Sequence, residues 1–203
     1  MYKTFTQLKS ATVTILAASS LLFASTAIAG PDKPGTKKIV PGGDIVEVAV
    51  AANEALGVFN TVLAAATCEF FDGAITDVLA GKGQRTLLAP VDSAFEELGL
   101  NAGNVCAAFD GSPEAPFTPE NLAQILSYHV TFGRNFSHKV FAKNGEMREI
   151  EMADGTIITT SEGKIYDFLM REVNVVKPFF DIPARNGVIH VVDRVLLPFD
   201  PNG

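Results

Sequence analysis

Several residue types that commonly build functional sites are scarce in this 203-residue sequence: it has no tryptophan, two cysteines and three histidines. Neither a C-x-x-C nor an H-x-x-x-H spacing occurs, so the usual ligand pattern of a structural zinc site is missing. Basic residues are also few, because 16 Lys and Arg stand against 23 Asp and Glu, for a formal net charge of −7. Nucleic-acid affinity comes largely from Lys and Arg that neutralise phosphates. We therefore expect no nucleic-acid partner and no metal.

The motifs of common enzymes are absent as well. Catalysis of acyl transfer needs a nucleophile, a base and an oxyanion site that converge. Ser93 follows Asp92, but no G-x-S-x-G elbow surrounds it, and no glycine-rich phosphate loop with a following lysine occurs elsewhere. We interpret Ser93 as a residue in the first turn of a helix, and we predict a non-catalytic protein without a cofactor.

The longest uncharged apolar stretch lies at the amino-terminal end of the chain. Lys3 and Lys9 precede residues 11–29, which carry no charge and end in the small-x-small pattern Ala27-Ile28-Ala29. This layout predicts a signal peptide over residues 1–29, with cleavage before Gly30. An uncleaved anchor is the alternative, but six hydroxyl residues dilute the stretch below what a stable membrane span prefers. We expect a secreted or periplasmic protein without a stable membrane span.

The rest of the chain divides into a linker, one domain and a short tail. Residues 30–43 are rich in Pro, Gly and Lys, which predicts a flexible linker. Residues 44–198 have the length of a single domain, and residues 199–203 form a C-terminal tail. Cys68 and Cys106 are an even number of cysteines in a chain predicted to leave the cytosol, which favours a disulfide. Two separate buried thiols are the alternative.

The apolar periodicity predicts helices in the first part of the domain. Asp44 is a helix cap with Glu47 three residues later, and Thr118 with Pro119 is a second strong helix start. Asp92 is expected to cap another helix. Residues 86–89 form a short apolar run before Pro90, which predicts a buried strand.

After position 130 the pattern changes to short alternating runs bounded by turns. It predicts strands at residues 147–152, 156–160, 165–168, 173–176, 188–192 and 195–197. Helices come first and strands afterwards, with one strand among the helices. The predicted class is α+β.

Three blocks of the sequence resemble the motifs of the fasciclin domain, a family of extracellular adhesion modules. They are TLLAPVDSAF at residues 86–95, ILSYHV at 125–130 and NGVIHVVDRVLLP at 186–198. The chain departs from the family at Val91-Asp92, where many members carry Thr-Asn or Thr-Asp, and in the long cysteine-bearing segment before Thr118. The resemblance implies a wedge-shaped β-sandwich of about seven strands with helices packed on one side. It also implies cell adhesion or matrix contact, with a cell-surface or matrix protein or polysaccharide as partner.

Tyr128 and His129 of the second block are candidate partner-binding residues, because the resemblance ties this motif to receptor binding. Helical spacing places His129 on the same face as Leu122 and Ile125, which predicts a buried, hydrogen-bonded imidazole. His190 alternates with apolar neighbours in a predicted strand and receives the same interpretation. Tyr128 can pack its ring and still present its hydroxyl at a surface.

A carrier of an apolar small ligand, a pigment or a lipid, is the alternative function. The sequence contains 15 phenylalanines, and several fall in predicted loops or edges, where aromatic side chains can line a groove. The candidate groove residues are Phe132, Phe136, Phe141, Phe179 and Phe180.

Overall fold

The computed structural model of the protein describes residues 42–142 and 145–201. The predicted signal peptide, residues 1–29, and most of the predicted linker lie outside these residues. The described part contains seven α-helices: α1 (Ile45–Leu56), α2 (Asn60–Ala66), α3 (Ala74–Ala80), α4 (Asp92–Glu96), α5 (Val105–Ala108), α6 (Pro119–Ser127) and α7 (Ser137–Val140). It also contains eight strands: β1 (Arg85–Pro90), β2 (Val130–Phe132), β3 (Arg148–Glu151), β4 (Ile157–Ser161), β5 (Lys164–Tyr166), β6 (Glu172–Asn174), β7 (Ile182–Ala184) and β8 (Gly187–Val192).

The strands form two four-stranded sheets. The first has the order β2-β1-β8-β7, in which β1 and β8 are parallel and the other pairs antiparallel. The second is an antiparallel meander with the order β3-β4-β5-β6. The predicted α+β class is confirmed, with eight strands where about seven were expected.

The first sheet is buried on both faces, because helices cover one and the second sheet covers the other. Leu87 and Ala89 of β1 pack with Ile45 and Val48 of α1 in one core cluster. Leu88, between them in sequence, packs in another cluster with residues of the second sheet. Successive residues of a strand point to opposite faces, so this short apolar run serves both layers. The helices therefore pack on one side of the sandwich.

A single asparagine fastens α1 and α3 to the first sheet. The Oδ1 of Asn186 accepts a hydrogen bond from the Ile45 amide at 2.9 Å, and its Nδ2 donates to the Leu79 carbonyl at 2.7 Å. The next residue, Gly187, lies so close to β1 that a Cβ there would be 2.1 Å from the Arg85 carbonyl oxygen. The Asn-Gly pair therefore has two roles. It turns the chain, and it allows the close approach at which Asn186 hydrogen-bonds to the start of α1.

The predicted helix cap at Asp92 is wrong. Asp92 lies inside α4, after the cap position at Val91, and its carboxylate turns toward α2. It accepts hydrogen bonds from the Thr61 amide at 2.7 Å and from Asn60 Nδ2 at 2.9 Å. Burial opposes ionisation of the carboxylate, but these hydrogen bonds lower the pKa of Asp92 below its ordinary value. Asp92 therefore caps a helix that is distant in sequence.

The predicted closing strand at residues 195–197 is also wrong, since this segment has no strand pairing. Three of its backbone groups bond to side chains from other parts of the fold. Those side chains belong to His129, Asp167 and Arg171. Because side chains satisfy these backbone groups, the segment stays buried without joining a sheet.

The two cysteines form a disulfide with a Cα–Cα distance of 5.5 Å. Cys68 follows α2, and Cys106 lies in α5, a short helix within the long segment before Thr118. The bond joins these two elements in the helical core, where Cys68 packs with Phe95 and Phe109.

Candidate functional site

An apolar cleft of about 700 Å³ lies between the helices and the first sheet. Its floor is made by alternate residues of two antiparallel neighbours, Leu87 and Ala89 of β1 and Val130 of β2. Its walls come from α1, α2, α3 and α6, and they include Val46, Ala49, Val50, Val62, Leu63, Ala66, Ile75, Val78, Leu79, Ala123 and Leu126. Small-molecule sites are commonly concave, mostly apolar and of about 300–1,000 Å³, and this cleft falls within that range.

The few hydroxyl groups that line the cleft are already used by the helices that carry them. Thr67 Oγ1 donates to the Leu63 carbonyl, Thr76 Oγ1 to the Gly73 carbonyl and Ser127 Oγ to the Ala123 carbonyl, each at 2.8 Å. Such back-bonding satisfies the hydroxyl donor within its own helix. The surface offered to a ligand is therefore mostly aliphatic.

His129 contributes a neutral imidazole to the cleft wall. It is 3% exposed, with Nδ1 2.7 Å from the Ile125 carbonyl and Nε2 3.0 Å from the Leu196 amide. Because the amide must donate to Nε2, Nδ1 carries the proton and donates to the carbonyl. Burial lowers the pKa of His129 to about 4. Both ring nitrogens are occupied, so the ring holds structure together and has no free position for proton transfer.

His190 is bonded in a similar way. Its Nε2 lies 2.9 Å from the Asn135 carbonyl, and its Nδ1 accepts a hydrogen bond from the Asp181 amide at 3.3 Å. Burial lowers the pKa of His190 below its ordinary value. His190 does not line the cleft.

Arg85 is the charged residue of the cleft lining in the described part of the chain. It begins β1, and its cross-strand partner in β2 is Phe132, whose side chain also lines the cleft and is 67% exposed. Directly opposed residues of an antiparallel pair project to the same face. One end of the cleft therefore combines a cation with an exposed aromatic ring.

Tyr128 is fully buried and does not line the cleft. Its hydroxyl donates to the Ile157 carbonyl at 3.4 Å, and burial, with the nearby charge of Asp167, raises the pKa of Tyr128 to about 12. Tyr128 and His129 are 0% and 3% exposed, so both side chains lie inside the fold.

The five candidate groove phenylalanines do not come together in the cleft, since only Phe132 lines it. Phe136 stacks on His138 with ring centroids 6.3 Å apart, and Phe141 packs edge-on against His190 at 6.2 Å. Phe179 packs against the core cluster of α1 and β1, and Phe180 is 37% exposed. The cleft is instead lined mainly by aliphatic residues of the helices.

A smaller cavity of about 270 Å³ lies in the helical core beside α4 and α6. Phe95, Phe109, Phe117 and Phe199 line it. Phe199 belongs to the predicted tail, so the packed chain continues past the last fasciclin-like motif.

The described residues offer neither a metal centre nor a membrane span. Within residues 42–142 and 145–201, no three His, Cys, Asp or Glu side chains are grouped so that they could hold a metal ion. No helix in this part of the chain has both the length and the apolar character needed to cross a bilayer.

Comparison with known proteins identifies the class of this chain. The model of the Fasciclin domain matches residues 59–198, and the chain belongs to the fasciclin family. The chain is 32% identical over 154 residues to the uncharacterized protein sll1735 of Synechocystis sp., covering 76% of this chain and 97% of that protein. It is 34% identical over 159 residues to protein sll1483 of the same organism, covering 76% and 73% of the two chains.

More distant similarities extend to animal proteins. Transforming growth factor-beta-induced protein ig-h3 of Sus scrofa is 31% identical over 124 residues, which are 61% of this chain and 16% of that protein. A structure of a FAS1 domain pair from the insect cell adhesion molecule Fasciclin I aligns with a TM-score of 0.49 and 18% identity. The alignment covers 78% of this chain and 52% of that one. Membership of the family indicates an adhesion or binding module, of a kind that is generally non-catalytic and extracellular or surface-associated.

Proposed function

We propose that this fasciclin protein is an exported, non-catalytic carrier that binds an apolar small molecule in the cleft between its helices and its first sheet. The observation that carries the proposal is a cavity of about 700 Å³ whose lining is almost entirely apolar. Apolar surface left open to water costs free energy, on the order of 25 cal/mol per Å². An apolar ligand would recover part of that cost.

The proposal includes export through a signal peptide over residues 1–29. It is supported by Lys3 and Lys9 before an uncharged stretch that ends in Ala27-Ile28-Ala29. Export is also supported by membership of a typically extracellular family and by the disulfide in the helical core. Mass spectrometry of the exported protein should give a mature chain that begins at Gly30. Retention of residues 1–29 would contradict cleavage.

The carrier function is tested by filling the cleft. Ala123 of α6 is partly buried and lines the cleft, so Ala123→Phe should occupy ligand space. Ala51 of α1 is exposed and does not line the cleft, which makes Ala51→Phe a matched control. We expect wild type and Ala51→Phe to bind the neutral fluorophore N-phenyl-1-naphthylamine and to release pigment or lipid on solvent extraction from the native host. Ala123→Phe should neither bind the fluorophore nor release pigment or lipid, and its melting temperature should be unchanged. Equal binding by all three proteins would refute the cleft as the site.

A second candidate function is contact with a cell-surface or matrix protein or polysaccharide. An exposed apolar patch at one end of the second sheet supports it: Ile157 begins β4, and Phe168 and Met170 lie in the turn after β5. β4 and β5 are antiparallel, so these positions are neighbours, and their side chains are 54%, 62% and 66% exposed. Contiguous exposed apolar residues are typical of interaction surfaces. Phe168→Ser should weaken retention on host envelope fractions if this patch is the contact, and full retention would exclude it.

A further inference from the structure

We propose that the cleft selects apolar molecules that carry an anionic head group, a carboxylate or a phosphate, and that Arg85 binds this head group. This inference rests on the proposed carrier function and names the class of ligand. It depends on the position of Arg85, on the unused donors of its guanidinium group and on the absence of a countercharge in the cleft lining.

Arg85 lies where the cleft meets solvent. Its side chain is half-buried, and its cross-strand neighbour Phe132 is largely exposed. On the same strand, Leu87 and Ala89 continue the floor of the cleft inward on the same face as Arg85. A ligand whose head group lies at Arg85 can therefore extend its apolar part over aliphatic surface.

The guanidinium group is only partly bonded by the protein. Nη1 donates to the carbonyl oxygens of Gly81 at 3.2 Å and Gly83 at 3.5 Å. Nε is buried and has no hydrogen-bond partner within the described residues. A buried donor without a partner costs free energy, and native proteins rarely keep one without a reason.

Nη1 is bonded and Nε is shielded from solvent, but Nη2 is not fully buried and makes no hydrogen bond within the described residues. An oxygen of a carboxylate or phosphate can accept a charge-assisted hydrogen bond from Nη2. The two carbonyls on Nη1 hold the group in place, so little side-chain freedom is lost when an anion binds. The geometry of Arg85 thus suits an anionic head group.

Within the described residues, no acidic side chain forms an ion pair with this arginine, although acidic residues outnumber basic ones overall. The cleft lining contains no Asp or Glu, and His129 is neutral. A cation at the edge of an apolar surface attracts an amphiphile of opposite charge more strongly than a neutral molecule of the same shape.

The inference is tested by displacing N-phenyl-1-naphthylamine with matched ligands at pH 7. The ligands are dodecanoic acid, dodecyl phosphate and the neutral methyl dodecanoate. A charge-assisted contact predicts that wild type binds at least one of the two anions about tenfold or more tightly than the ester. The better of the two identifies the head group as carboxylate or phosphate.

Two variants assign the preference to the arginine. Arg85→Gln should bind the anions no more tightly than the ester, whereas Lys82→Gln, which removes the same charge from the neighbouring exposed turn, should keep the wild-type preference. Equal binding of acid, phosphate and ester by wild type would overturn the inference and leave the carrier function intact, and so would an anion preference that survives in a folded Arg85→Gln. Failure of wild type to bind the neutral fluorophore would instead refute the carrier function itself.

Discussion

The imidazole of His129 accepts a hydrogen bond from the amide of Leu196, a residue 67 positions later in the chain. This contact joins the end of α6 to the segment after β8. Beside it, Asp167 is 2% exposed and accepts from the Leu197 amide, while it is paired with Arg171 at 2.6 Å. The motif Tyr128-His129 therefore has a structural role here. Its histidine satisfies a backbone amide of residues 195–197, a segment that pairs with no strand.

The burial of His129 predicts a loss of stability in mild acid. The pKa of its ring is about 4 in the folded protein and about 6.5 in an unfolded chain, so the unfolded state binds a proton first as the pH falls. The stabilisation is fully present above pH 6.5 and is lost progressively down to pH 4, by about 3 kcal/mol. His190, whose pKa is also lowered, contributes in the same direction. Urea unfolding at a series of pH values measures the slope.

A pair of histidine variants separates this effect from general acid destabilisation. His129→Gln cannot titrate, so its stability should depend less on pH between 6.5 and 4, although it is less stable at pH 7. His138 is exposed, and His138→Gln should reproduce the wild-type slope. If His129→Gln kept the full wild-type slope, the buried neutral ring would not be its cause.

The positions of His129 and Asp92 show why some of this fold was predictable from the sequence and some was not. His129 shares a helical face with Leu122 and Ile125, so local periodicity was enough to predict its burial. The Asp92 carboxylate caps α2 by accepting a hydrogen bond from Thr61, which lies 31 residues earlier in the chain. No local sequence pattern predicts such a contact. The cleft could not be predicted from the sequence for the same reason. Its aliphatic lining residues match the pattern of an ordinary core, and only the packing of helices on the sheet leaves space between them.

Asp92→Ala should destabilise the protein through a helix that does not contain it. The carboxylate accepts from the Thr61 amide near the start of α2, so its removal leaves that helix end uncapped, at a cost of about 1 kcal/mol. Asp92→Asn keeps an acceptor oxygen and should lose less. Chemical denaturation of both variants measures the difference. Equal losses would assign the effect to the negative charge and not to the hydrogen bond.

The Cys68–Cys106 disulfide should make a large contribution to stability. It closes a loop with a sequence separation of 38 residues, which corresponds to about 4 kcal/mol in the chain-entropy treatment of the unfolded state. The double variant Cys68→Ala/Cys106→Ala and the reduced wild-type protein should both unfold at lower denaturant concentration. Alkylation under denaturing, non-reducing conditions checks the bond itself. Two free thiols in the exported protein would contradict it.

Tyr128→Phe distinguishes a structural tyrosine from a recognition residue. The hydroxyl is buried, and its bond to the Ile157 carbonyl is 3.4 Å long, which is beyond the usual range for an O–H donor. Its removal should therefore cost no more than about 1 kcal/mol and lower the melting temperature by only a few degrees. Because the hydroxyl neither lines the cleft nor reaches the surface, binding of fluorophore and retention on envelope fractions should both stay at the wild-type level. Phe168→Ser, on the exposed patch near Ile157, provides the contrast, since it changes a surface that a partner can touch. A Tyr128→Phe protein of normal stability that no longer binds would show that the motif opens to meet its partner.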